Sequence, residues 1–123
     1  MKRNAVLTHV DHIDLKVPHL ESAVAFLTSM GLIVVRRTDP ERGSVELALP
    51  GPDQVVFELR EDSTLTSTTL NHVAFRSDDS ATDLDAFEAA GIPVLKRHAF
   101  IAHSGRTISN TADPSGVTWQ LTD

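Results

Sequence analysis

The segment Val10-Asp11-His12-Ile13-Asp14-Leu15-Lys16-Val17 alternates apolar and polar side chains, as a β-strand with two different faces does. Later in the chain, Leu70-Asn71-His72-Val73-Ala74-Phe75-Arg76-Ser77 has a similar pattern, again with histidine in third place. A second pair of segments also matches: residues 52–59 (PDQVVFEL) and 114–121 (PSGVTWQL) both begin with proline and end in leucine. The two matched pairs indicate that the chain contains one structural unit twice.

A helical pattern follows the first strand of each half. In residues 20–30, apolar side chains recur at spacings of three and four, and Gly31 stands where a helix C-terminus is expected. In the second half, Ser80 or Thr82 could cap a helix that stops at Gly91. The predicted buried face of the first helix consists of Leu20, Ala23, Val24, Phe26, Leu27 and Met30.

Short β-patterned segments separated by turn residues complete each half. The predicted strands are 32–37, 44–49 and 54–60 in the first half, and 94–97, 106–110 and 117–121 in the second, with a looser loop at 98–105. Each half is therefore expected to be a βαβββ module, and the fold class is α+β. We expect a single domain with modules at 1–62 and 70–123 and a polar linker at 63–69.

Composition narrows the classes of function. The chain has 11 Lys and Arg against 17 Asp and Glu, a net charge of -6, which argues against binding to nucleic acid. No stretch approaches the roughly 20 apolar residues of a membrane helix, and no signal-peptide pattern is present, so we expect a cytoplasmic protein that does not associate with membranes. Because there is no cysteine, any metal must be held by histidine, carboxylate or amide groups.

Strand alternation places several polar residues on the side that does not face a helix. They are His12, Glu46 and Glu58 in the first half, and His72 and Gln120 in the second. A polar strand face is usually exposed to water, so any one of these side chains alone would be an ordinary surface residue. Their recurrence at matched positions favours a shared function.

Four of these residues form a plausible ligand set for one metal ion. Two imidazoles and one carboxylate suit Zn, Ni, Mn, Co or Fe, and an amide oxygen can supply a weaker fourth ligand. If the halves pack as a pseudo-two-fold pair, they bring His12, Glu58, His72 and Gln120 to one centre with open positions for water or substrate.

These features resemble the vicinal oxygen chelate superfamily, which includes glyoxalases, bleomycin-resistance proteins and extradiol dioxygenases. The resemblance covers nearly the whole chain and rests on paired strand-helix halves, each with an Asx-His first strand and a last strand ending in an acid or amide before leucine. It implies one divalent metal held by a residue from each of four strands, at His12, Glu58, His72 and Gln120. Glyoxalase I-like members usually have glutamate where Gln120 stands, and epimerase-like members have the amide and the acid in the opposite order.

The resemblance implies a glyoxalase-type enzyme whose small oxygenated substrate chelates the metal through two oxygens. The expected reaction is a lyase or isomerase proton transfer next to a carbonyl, with Glu58 or Glu46 as the base. One alternative is extradiol ring cleavage by iron on His12, His72 and Glu58, although members with that activity are often built of four modules. Another is a non-catalytic protein that binds small molecules and confers drug resistance. The resemblance also implies a homodimer.

Four further residues are candidates for binding the substrate. Lys16 lies four residues after His12, where glyoxalase I-like enzymes place a basic group, and Arg76 shares a strand face with His72. His103 and Arg106 belong to the loop region of the second half and could bind an anionic substrate there.

Overall fold

The computed structural model describes residues 7–39 and 43–123. Its elements are, in order, β1 (Leu7–Val17), α1 (Leu20–Ser29), β2 (Ile33–Asp39), β3 (Ser44–Ala48), β4 (Val56–Glu61), β5 (Thr69–Ser77), α2 (Ser80–Ala89), β6 (Val94–Ile101), β7 (Arg106–Ala112) and β8 (Thr118–Thr122). The predicted α+β fold with two βαβββ modules is confirmed. Within the described ranges, neither helix is long and apolar enough to cross a membrane.

The chain forms two compact units. The N-terminal unit is His12–Asn71, and the C-terminal unit combines the described residues Leu7–Asp11 with His72–Asp123. Strand β1 therefore contributes its first residues to one unit and the rest to the other.

The strand order in the N-terminal unit is β2-β3-β4-β1. Strands β2, β3 and β4 are antiparallel neighbours, and β1 runs parallel to β4. Helix α1 covers one face, and strand alternation supplies that face with apolar side chains. The resulting buried core consists of Val17, Leu20, Val24, Val45, Leu47 and Leu59.

The predicted buried face of α1 is too wide. Leu20 and Val24 are buried in the core, but Phe26 and Met30 are 66% and 65% exposed. With 3.6 residues per helical turn, these two positions lie at the far edge of the apolar stripe, away from the line through Leu20 and Val24.

The strand order in the C-terminal unit is β5-β8-β7-β6, with β5 parallel to β8 and β7 antiparallel to both of its neighbours. Its helix α2 is capped by Asp79, not by Ser80 or Thr82, since the Asp79 side chain accepts a hydrogen bond from the Thr82 backbone at 3.2 Å. Ser80 and Asp83 are among the buried residues of α2. The layer between α2 and its sheet is therefore more polar than the layer between α1 and its sheet.

Strand β6 extends further than predicted, because residues 98–101 belong to the strand and not to a loop. The β6–β7 register shifts between Lys96 and Ala99, and His98 has a positive φ of 50°. The His98 backbone N–H donates to Ser109 Oγ at 3.0 Å. This irregularity breaks the two-residue alternation by which a strand is recognised in sequence.

Candidate functional site

A row of charged side chains crosses the N-terminal unit on the face opposite α1. The strand registers place Asp14 beside Glu58, Glu58 beside Glu46, and Glu46 beside Arg36. The three carboxylates are only 0%, 4% and 2% exposed, for Asp14, Glu58 and Glu46 respectively. This face is therefore buried, unlike the solvated strand face that polar alternation usually indicates.

Buried carboxylates require partners to offset the loss of hydration. Arg36 donates two hydrogen bonds to Glu46, from Nε to Oε1 at 3.1 Å and from Nη2 to Oε2 at 3.2 Å. Asp14 accepts from Arg60 Nη2 at 3.3 Å and from Asn71 Nδ2 at 3.2 Å. Arg36 and Asp14 were not among the predicted site residues, although Asp14 lies two residues after His12 and so shares its strand face.

The ligand atoms of His12, Glu58 and His72 lie within 4.8 Å of one another. His12 is 2% exposed, and His72 directly follows Asn71, whose amide binds Asp14. Metal–nitrogen and metal–oxygen bonds are about 2.1 Å long, so these three donors fit one divalent ion after small side-chain movements. The donor set of two imidazoles and one carboxylate matches the ligand chemistry expected from the sequence.

Gln120, the fourth predicted ligand, is a buried residue of β8. It is in register with Ala74, two residues after His72, so it lies on the same face of the C-terminal unit as His72. Its Nε2 donates to Asn110 Oδ1 at 3.0 Å. This bond identifies Oε1 as the end of the amide that could coordinate a metal. Coordination by Gln120 remains a prediction.

Two of the predicted substrate-binding residues share a partner that the sequence analysis missed. Arg76 Nη2 and Nε donate to Asp11 Oδ1 at 3.1 and 3.3 Å, and Arg106 Nε donates to Asp11 Oδ2 at 3.3 Å. Two guanidinium groups around one carboxylate carry a net positive charge, which suits an anionic group of a substrate. The position of Asp11 immediately before His12 could have marked it as a candidate site residue.

The other two predicted substrate-binding residues are half-buried. Lys16 is in register with Arg60 on the β1–β4 pair. His103 lies in the turn between β6 and β7, three residues before Arg106. A role for either residue in substrate binding remains a prediction.

Comparison with known proteins agrees with this architecture. The family model of the Glyoxalase/Bleomycin resistance protein/Dioxygenase superfamily matches residues 9–121. A methylmalonyl-CoA epimerase from Mycobacterium tuberculosis is similar in structure, with a TM-score of 0.72 and 18% identity over 99% of this chain and 91% of that chain. The Streptomyces coelicolor methylmalonyl-CoA epimerase, solved with 2-nitronate-propionyl-CoA, has a TM-score of 0.72 and 21% identity over 94% of this chain and 96% of that chain.

A hypothetical protein from Bacillus halodurans is also similar, with a TM-score of 0.70 and 16% identity over 92% of this chain and 91% of that one. No curated protein matches the sequence. At these identities the solved structures establish the fold, and the family model covers most of the chain. The chain therefore belongs to the Glyoxalase/Bleomycin resistance protein/Dioxygenase superfamily.

Proposed function

We propose that this protein is a divalent-metal-dependent enzyme that transfers a proton at a carbon next to a carbonyl group. The observation that carries the proposal is the spacing of His12, Glu58 and His72, whose ligand atoms lie within 4.8 Å of one another. A second buried carboxylate, Glu46, lies directly beside Glu58 in the β3–β4 register. A metal-ligand set next to a further acid is the arrangement that such a reaction requires.

In this proposal, His12, Glu58 and His72 hold the metal, and Gln120 supplies a weaker fourth ligand. The metal, when bound, supplies a Lewis acid that stabilises negative charge on a substrate oxygen. Glu46 takes the proton, because Glu58 is committed to the metal. The two hydrogen bonds from Arg36 hold the Glu46 carboxylate in place beside Glu58. Lys16, Arg76, His103 and Arg106 are the candidates for binding anionic groups of the substrate.

The structurally similar epimerases support an isomerase-type reaction and suggest a first substrate to test. The proteins from Mycobacterium tuberculosis and Streptomyces coelicolor are both methylmalonyl-CoA epimerases, and the second was solved with 2-nitronate-propionyl-CoA. Methylmalonyl-CoA has an acidic carbon next to a thioester carbonyl, so it is a suitable first probe for proton transfer by this protein.

Metal content tests the proposed ligands. Protein purified without chelator or metal-affinity resin should contain about one divalent metal per chain, and a His12→Ala, His72→Ala variant should lose it. The matched control is His9→Ala, His19→Ala, which removes two exposed histidines and should keep the metal. Equal metal content in both double variants would contradict the proposed centre. Absence of metal even after dialysis against Zn, Ni, Mn and Fe(II) would favour a non-catalytic binding protein.

Solvent deuterium uptake tests the proton transfer. The protein should catalyse exchange at the carbon next to the carbonyl of methylmalonyl-CoA or a related small carbonyl compound. Glu46→Gln should lower the exchange rate by about 100-fold or more while the bound metal is retained. Glu58→Ala should lose metal and activity together. Oxygen consumption with a catechol, without deuterium exchange, would instead indicate ring cleavage.

A further inference from the structure

The C-terminal unit contains a cavity of about 440 Å³ between the end of α2 and the strands β5, β7 and β8. Its wall includes Phe75, Phe87, Trp119 and Leu121. Phe75 and Trp119 lie on the opposite strand faces from His72 and Gln120, because neighbouring residues of a strand point to opposite sides. The cavity is therefore separate from the candidate metal ligands of this unit.

One wall of the cavity is flat and aromatic. The rings of Phe75 and Trp119 are stacked, with centroids 6.0 Å apart and planes inclined by 11°. Each ring covers part of the other, and the remaining ring surface contributes to the cavity wall. Flat aromatic molecules make the largest contact with such a surface.

The polar groups of the wall already have partners. Asp113 accepts hydrogen bonds from Trp119 Nε1 at 2.7 Å and from Ser115 Oγ at 2.6 Å. Thr111 Oγ1 donates to the Trp119 carbonyl at 2.8 Å. A polar ligand would lose its hydration here and gain little in return. The Asp113 carboxylate also disfavours anions, since its low pKa of about 2 keeps it ionised at neutral pH.

In the N-terminal unit, the corresponding layer between helix and sheet is filled by apolar side chains. There, Leu20 and Val24 of α1 pack on strand residues such as Leu59. In the C-terminal unit, Leu84 of α2 is also buried, but polar contacts hold the start of the helix: Ser77 Oγ donates to Asp83 Oδ2 at 2.6 Å, and Ser80 Oγ donates to Asp123 Oδ1 at 3.0 Å. These contacts lie at the start of α2, whereas the cavity lies at its other end.

We propose that this cavity binds a small, neutral aromatic molecule against the Phe75–Trp119 wall. The volume lies within the range of small-molecule sites, roughly 300 to 1,000 Å³. Ile92 lines the cavity and is 38% exposed, so it marks an opening to solvent. The site is independent of the proposed metal chemistry and would exist whether or not the protein is an enzyme.

Trp119 makes the proposal directly measurable. It is the single tryptophan of a chain without tyrosine, so the intrinsic fluorescence comes from the cavity wall. The neutral dye N-phenyl-1-naphthylamine should quench Trp119 emission saturably, with about one dye per chain. Addition of Zn²⁺ should leave the dye affinity unchanged. Absence of saturable quenching, or displacement of the dye by Zn²⁺, would overturn the proposal.

Two matched variants test the location. Ile92→Glu places a charge at the opening and should weaken dye binding by about tenfold or more, because the apolar contact is replaced by a hydrated group. Leu95→Glu makes the same change at an exposed residue of β6 that does not line the cavity, and should leave binding within about twofold. Ile92→Gln should give an intermediate loss and serves if the charged variant does not fold. Equal dye affinities in the Ile92 and Leu95 variants would show that the dye binds elsewhere. Quenching that depends on protein concentration would indicate that two copies of the chain associate around the dye, and would also contradict the proposed site.

Discussion

Two neighbouring arginines provide a comparison at the scale of single residues. Arg36 and Arg37 each donate two hydrogen bonds to a glutamate, but Glu46, the partner of Arg36, is 2% exposed, whereas Glu21, the partner of Arg37, is 69% exposed. Arg36→Gln should lower the free energy of unfolding by about 1–3 kcal/mol, since it removes the charged partner of a buried carboxylate. Arg37→Gln should cost less than about 0.5 kcal/mol. Urea unfolding of both variants at neutral pH checks this, and similar losses would contradict it.

A second prediction concerns pH and Asp113. The hydroxyl of Ser115, then the indole N–H of Trp119, lower the pKa of Asp113 from its ordinary 3.8 to about 2. A carboxylate with a lowered pKa stabilises the fold above pH 3.8, and this contribution is lost as the pH falls towards 2. Asp113→Asn should therefore be less stable than the wild type at neutral pH, and the difference should shrink on acidification. Urea midpoints measured over this pH range test the expectation. An unchanging difference would indicate another cause.

The sequence predicted which strand face the site residues lie on, but not which residues they bind. Alternation placed His12, Glu46 and Glu58 on the face away from α1, and they lie there. The ion pair between Arg36 and Glu46 depends on the register of β2 against β3, which contains irregularities next to this pair. Such a register is set by pairing in three dimensions and leaves no periodic signal in the sequence.

At the scale of elements, the N-terminus of α1 is capped from a distance. His19 occupies the N-cap position without a side-chain capping bond, and the first helical N–H, that of Leu20, donates to Glu61 Oε2 at 3.1 Å. Glu61→Ala should lower the free energy of unfolding by about 1 kcal/mol. Adding His19→Ser, which supplies a local cap, should recover part of this loss. Thermal unfolding of the single and double variants tests the prediction, and no recovery would argue against a capping role.

Element boundaries were predicted well where the pattern was regular. The helices and most strands begin within a few residues of their expected positions. Strand β6 was cut short because the irregularity at His98 breaks the alternation. The helix cap, predicted at Ser80 or Thr82, is Asp79, since aspartate, serine and threonine all suit this position and only the backbone geometry distinguishes them.

At the scale of the whole molecule, the repeated sequence pattern predicted the repeated topology. It did not predict that the layers beneath the two helices differ in polarity. Helix α1 is held by an apolar core, whereas α2 buries Ser80 and Asp83 beside Leu84 and borders a cavity. We expect amide hydrogens of α2 to exchange with solvent faster than those of α1, because fewer apolar contacts must be broken to open it. Hydrogen exchange followed by mass spectrometry or NMR measures this. Equal protection of the two helices would contradict it.

The homodimer implied by the family resemblance remains a prediction at this scale. Each unit ends in an edge strand with exposed apolar side chains, Ile33 and Val35 on β2 and Leu95 and Phe100 on β6. Exposed edge strands of this kind favour pairing with another chain. Sedimentation velocity would establish the oligomeric state.

Because β1 is divided between the two units, the two halves of the sequence are not expected to fold as independent fragments. A chain cut in the segment 63–69 would leave Leu7–Asp11 on the first fragment, although these residues belong to the C-terminal unit. The second fragment would keep Arg76 and Arg106 but lose Asp11, the carboxylate that both arginines bind. The second half therefore depends on the first for a strand segment and a counter-charge.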